Sequence, residues 1–169
     1  MNGAASAMEP PVPHIRLRQF RLMVLAALLL PAAAALADPK AAFVARCAMC
    51  HQAGGEGLAG QFPRLAGRAA AIAGAPAGRR YLVRVVLHGM AGPIEVEGTR
   101  IAGVMPGMAS LSDADIAAVL SHAISLGKPA RPPRPVTPAE VAAVRGEGPG
   151  SMADNRALRA QLVAEGLIK

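Results

Sequence analysis

Five consecutive residues, Cys47-Ala48-Met49-Cys50-His51, restrict this chain more than any other feature, and they use both of its cysteines. On a helical segment, side chains at i and i+3 share a face, so the two thiols point the same way and an imidazole follows at once. Two thiols so placed can each add to one of the two vinyl groups along a porphyrin edge. The imidazole can then reach the iron from the same side. The pattern is that of a c-type haem attachment site. A zinc centre needs about four ligands, usually with a second ligand pair at a set spacing, and no such pair follows. A thioredoxin-like redox pair expects a βαβ setting, which the sequence lacks.

The N-terminus reads as a secretory signal over residues 1–37. Arg16, Arg18 and Arg21 form a basic region, residues 22–30 are apolar, and Ala35-Leu36-Ala37 is a cleavage site before Asp38. The apolar run is shorter than the ~20 residues a membrane span needs, so no stable span is expected after cleavage. No adjacent arginine pair precedes the run, which favours the general secretory route. Bacterial export places the mature chain in the periplasm. There a CxxC pair tends to oxidise to a disulfide unless haem captures the thiols.

The chain has 169 residues, with Phe20, Phe43, Phe62 and Tyr81 as its aromatics and no Trp. Phe20 lies in the signal, so three aromatics remain for a core, and a buried cofactor supplies the missing apolar bulk. The formal charge of +7 falls when the signal is removed, leaving a mildly basic chain. Basic residues are not interleaved with aromatics, which argues against nucleic acid. A basic surface that helps docking to an acidic protein is the simpler reading.

Along the mature chain, residues 40–50 read as a short helix opened by Pro39. Phe43 lies four residues before Cys47 and is expected to pack on another helix or on the haem edge. Residues 52–60 carry four glycines and form a loop. Phe62-Pro63 follows. A ligating histidine usually donates its other ring N–H to an acceptor, and Pro63 offers either that carbonyl or only a turn. Residues 78–87 form the next helix, ending at His88-Gly89. Residues 94–96 and 99–101 alternate around Glu97-Gly98 as a small β-hairpin closed by Gly103.

Val104-Met105-Pro106-Gly107-Met108 comes next. A thioether is a known partner of histidine on haem iron and raises its potential. Pro106 keeps Met105 out of helical geometry, which favours Met105 as the ligand. Met108, the competing sulfur, is expected in the haem wall. Ser112 caps a helix reaching about residue 126, with Ile116, Val119, Leu120, Ala123 and Ile124 as one stripe. Gly127 and Pro129 stop it. Residues 128–135 form a Pro/Arg-rich arm, and Thr137-Pro138-Ala139-Glu140 opens a short helix. Residues 154–168 suit a terminal helix with Leu158, Leu162, Val163 and Leu167 on one side.

In order and spacing, CAMCH, FPRLAG, YLVRVVLHGMAGPIEVEG and VMPGMASLSDADIAAVL resemble class I cytochromes c over residues 40–127. The later blocks look like the monohaem cytochromes of bacterial periplasmic electron-transfer chains. The resemblance implies an all-α fold wrapped around one covalent haem c, with a small hairpin and a C-terminal helical extension. It implies thioethers at Cys47 and Cys50, His51 and Met105 as iron ligands, and the Pro63 carbonyl as acceptor from His51. It also implies a one-electron carrier rather than an enzyme, serving a dehydrogenase, reductase or oxidase.

The alternatives are a dedicated cytochrome subunit docked through residues 128–169, or a haem enzyme or gas sensor with an open sixth site. Two departures stand out: residues 146–169 are not explained by the resemblance, and His122 occupies a position usually held by an aromatic of the last helix. It could pack on Phe43 in a weaker, pH-sensitive contact. His88 suits a helix C-cap better than an iron ligand. Arg64, Arg84 and Arg100 are candidates to meet the haem propionates, and the sequence does not choose between them. Residues 38–127 thus form the expected haem domain, and residues 128–169 its extension.

Overall fold

A computed structural model describes residues 38–168. The signal segment, residues 1–37, lies outside the described residues. Asp38 accepts a hydrogen bond from the Lys40 amide, and Pro39 takes the first turn of helix α1 (Pro39–Arg46). Cys47 breaks the helical run, and a single turn, α2 (Ala48–His51), resumes after it. The expected continuous helix over 40–50 is therefore two pieces, with Cys47 at the junction and Cys50 in the second.

A short helix without a sequence signal, α3 (Arg68–Ala73), follows the glycine loop. Helix α4 (Pro76–His88) starts two residues earlier than expected, because Pro76 fits its first turn. Strands β1 (Met90–Val96) and β2 (Thr99–Met105) pair antiparallel, from Met90 opposite Met105 to Val96 opposite Thr99. The hairpin is longer than alternation suggested: it runs through Gly103 and ends on Met105. Glu97 and Gly98 both take positive φ, as a type I′ turn requires. Arg64 grips the Glu97 carboxylate from outside.

Helix α5 (Asp113–Ser125) is capped by Ser112, whose hydroxyl accepts from the Asp115 amide at 3.1 Å. Its stripe is buried as expected, with Ile116 and Ile124 essentially sealed. Two further helices, α6 (Pro138–Arg145) and α7 (Met152–Ala164), each open on a capping box, Thr137/Glu140 and Ser151/Asp154. Among the described residues this makes seven helices and one two-stranded sheet, the expected mainly helical frame with a hairpin and an extension. No described helix is long and apolar enough to cross a membrane.

Three apolar clusters hold these elements. Val83, Val86 and Leu87 of α4 meet Ile116, Leu120 and Ile124 of α5 and Val141 and Val144 of α6. Phe43 and Cys47 pack on Val119 and Ala123 of α5. Ile72, Tyr81 and Met90 meet Leu162 and Ile168 from the extension.

The arm and extension fold back on residues 38–127. The Val136 amide donates to the Ser121 hydroxyl at 2.9 Å. Arg79 pairs with Glu140, and Arg145 pairs with Asp113. Helix α7 sits against α4 and β1. Its inward face differs from the expected Leu/Val stripe. Asn155, Arg159 and Leu162 are buried, whereas Val163 and Leu167 are exposed. Asn155 explains the shift: its amide donates to the carbonyls of Arg84 and Gly89 at 3.0 and 2.7 Å, a bond set that only this rotation of the helix provides.

Candidate functional site

One cavity of about 260 Å³ runs between these elements. Cys47, Cys50, His51, Pro63, Met105 and Met108 all line it, together with Phe43, Leu65, Ile72, Leu82 and Val85. The cysteines, His51, Pro63 and Met105 named from the sequence thus share one cavity. His88 and His122 are not among its lining residues.

Cys47 and His51 are buried, and Cys50 is half-buried. Burial pushes the free Cys47 thiol up to about 11, against the pull of neighbouring Arg46. The His51 Nδ1–H donates to the Pro63 carbonyl at 3.0 Å. That bond leaves Nε2 as the nitrogen with a free lone pair. Burial holds the imidazole below its ordinary pKa, and the Pro63 carbonyl pulls the other way.

The loop carrying Pro63 is pinned at both ends. Gly57 N–H donates to the His51 carbonyl at 2.9 Å, and Leu65 and Ala66 N–H both donate to the Gly55 carbonyl. Gly57 takes φ +70°, and a Cβ there would lie 2.5 Å from the Phe62 carbonyl oxygen. Only glycine lets the loop pass this close to the Phe62-Pro63 backbone. The glycine count signalled a loop, but nothing local showed which glycine fixes the acceptor for His51.

Met105 closes β2 opposite Met90 and packs against both the α4/α5 core and the cluster under α7. Its carbonyl lies against Gly89, where a Cβ would stand 2.4 Å away with φ at +77°. The His88-Gly89 step thus serves the Met105 segment, beyond ending α4. Met108 is held differently: its N–H donates to the Val86 carbonyl at 2.8 Å, and its side chain packs against the α4/α5 core.

Phe43 packs on another helix, one of the two expectations made for it. It is sealed from solvent, lines the cavity, and meets His122 with ring centroids 5.1 Å apart at 54°. The three arginines offered for the propionates lie off the lining. Arg64 holds Glu97, Arg84 bonds Glu147 and Asn155, and Arg100 stands opposite Glu95 on the hairpin. The arginines that do line the cavity are Arg46, Arg68 and Arg159.

Two thiols at one helical turn, an imidazole with one nitrogen already committed, and a thioether share an apolar cavity. This donor set fits a covalently attached haem and suits no hydrated cation, which would call for oxygen ligands.

The cytochrome c family model matches residues 36–127. A cytochrome c-552 from Thermus thermophilus is 48% identical over 99 residues, covering 58% of this chain and 67% of that protein. Another cytochrome c-552 of the same species is 51% identical over 78 residues, covering 46% of this chain and 60% of its own length. Motif, cavity and relatives converge, and the chain belongs to the cytochrome c family, as a class I monohaem electron-transfer protein whose cofactor is covalently bound haem c.

Proposed function

We propose that this cytochrome is a one-electron carrier with a closed, six-coordinate iron, held by thioethers at Cys47 and Cys50 and ligated by His51 and Met105. The observation that carries the reading is that His51, oriented by Pro63, and Met105 line the same apolar cavity from different elements. The haem supplies reversible exchange between ferric and ferrous iron. The chain supplies the rest. Pro63 fixes the imidazole tautomer, and Gly57 fixes Pro63. Gly89 and the Met90 pairing hold the Met105 segment at the strand end. The thioether favours the reduced state and raises the potential, as do the apolar walls, which exclude water.

Exchange with partners is assigned to the cavity rim. Met49, 87% exposed, and Val104, 66% exposed, both border the lining, so a partner can approach the haem edge there. The partners are redox proteins such as a dehydrogenase, reductase or oxidase. The proposed setting is the periplasm, reached through an export signal at residues 1–37. Residues 38–127 are the haem domain, and residues 128–169 its extension. The dedicated-subunit reading has residues 128–169 dock the protein to a dehydrogenase or reductase. Their ion pairs and hydrogen bonds to α4, α5 and β1 favour the carrier reading instead.

Carbon monoxide added to the reduced holoprotein tests this directly. The visible spectrum should stay nearly unchanged, because no iron position is open. Immediate, stoichiometric binding means an open sixth site and favours the enzyme or sensor reading.

A further inference from the structure

The cavity wall does not stop where the family match ends. Arg159 of α7, only 4% exposed, lines the same cavity as the cysteines, His51 and Met105. Its guanidinium donates to the Glu95 carbonyl at 2.5 Å, and its charge acts on the Tyr81 phenol. Tyr81 is itself buried and on the lining, and Arg68 lines the cavity too. Arg68 and Arg159 stand close enough to repel each other. Neighbouring anchors fix Arg159 in place. Asn155, one turn before it, is bonded to the backbone of α4 and to Gly89. Leu162, one turn after it, is sealed in the cluster with Tyr81 and Met90.

A buried charge costs several kcal/mol unless an opposite charge meets it. Arg159 donates to the neutral Glu95 carbonyl beside the neutral Tyr81 phenol, while its charged neighbour Arg68, on which Glu97 also acts, has the same sign. An anion at this end of the cavity resolves the arrangement, and haem carries two carboxylates. We propose that Arg159, flanked by Tyr81 and Arg68, receives the haem propionates, so that α7 is part of the haem pocket. The inference rests on haem occupying this cavity, as proposed above. Arg159 is then a tuning residue. Its positive charge favours the electron-rich ferrous state and keeps the carboxylates ionised. An extension outside the family match thereby sets part of the potential.

The test measures midpoint potential against pH, over about pH 5 to 8, for three holoproteins: wild type, Arg159→Lys and Arg159→Gln. Wild type is expected to stay level. Arg159→Gln is expected to keep attached, low-spin haem but lower the potential. At fixed ambient potential its ferrous-to-ferric ratio should fall by roughly 3- to 10-fold, the size expected of one nearby charge at intermediate dielectric. Its potential should also become pH-dependent, as a carboxylate begins to titrate with the electron. Arg159→Lys should fall between the two. A folded Arg159→Gln with wild-type potential at every pH overturns the assignment. If that variant yields no holoprotein, the wild-type profile decides. A level curve supports the assignment, and a redox-linked ionisation within the range overturns it. A wild-type chain that takes up no covalent haem defeats the underlying haem reading instead, so the two failures are distinct.

Discussion

His122 shows how one polar residue beside an apolar stripe changes the chemistry of a packing contact. It stacks on Phe43 at 5.1 Å, where burial holds its pKa below the ordinary value, with Lys40 acting in the same direction and Asp38 opposing. A base with a depressed folded pKa is neutral in the fold and protonated more readily when unfolded. Its contribution is therefore complete above the unfolded value near 6.5 and is lost as pH falls through the folded one. His122→Phe should raise stability by about 0.5–1.5 kcal/mol near pH 5.5 through aromatic packing. It should also flatten the slope of unfolding free energy between about pH 7 and 5. Denaturant melts at several pH values read both. An undiminished slope places the titration elsewhere, with His88 as the next group, since burial holds its pKa down too.

One carboxylate gathers the polar contacts at the start of helix α6, beside the burial of Val141 and Val144. Glu140 accepts from Arg79 Nε at 2.9 Å, from Arg134 Nη1 at 2.8 Å and from the Thr137 cap amide at 2.9 Å. The Arg79 bond is the largest of the influences that hold Glu140 far below the usual carboxylate range. A depressed acid stabilises the fold above its unfolded pKa, near 4.3, and loses that contribution as pH falls below it. Glu140→Gln should cost about 1–2 kcal/mol near neutrality, less than a fully buried pair because Arg134 is largely exposed. The deficit should shrink below about pH 4. Thermal unfolding of the holoprotein across pH checks this, and a deficit that stays constant into acid means that shape, not charge, was lost.

At the level of the whole molecule, the legible parts were those whose chemistry is local. The CAMCH turn and the Pro63 carbonyl that accepts from His51 are each legible within a few residues, and the caps of α5 and α6 are equally local. What escaped depends on distant partners. Alternation ended the hairpin at Gly103 because Gly92, Pro93 and Gly103 weaken the strand pattern, yet pairing continues to Met90 and Met105. Helix α3 has an alanine-rich sequence with little periodicity and is recognisable only by its burial under α4 and α5. The inward face of α7 was hidden because Asn155 and Arg159 read as solvent residues. Their burial follows from carbonyls some sixty to seventy residues away. The extension, read as a Pro/Arg-rich arm followed by helices, packs on residues 38–127 and lines their cavity.

The proposed iron site is closed between His51 and Met105. Carbon monoxide titration of the reduced Met105→Ala and Met108→Ala holoproteins, beside wild type, tests it most directly. On the proposed ligation, removing the Met105 thioether opens one coordination position, whereas trimming Met108 leaves both filled. The predicted result is prompt carbon monoxide binding by Met105→Ala, with spectra left nearly unchanged in wild type and Met108→Ala. Binding by Met108→Ala with Met105→Ala inert contradicts it.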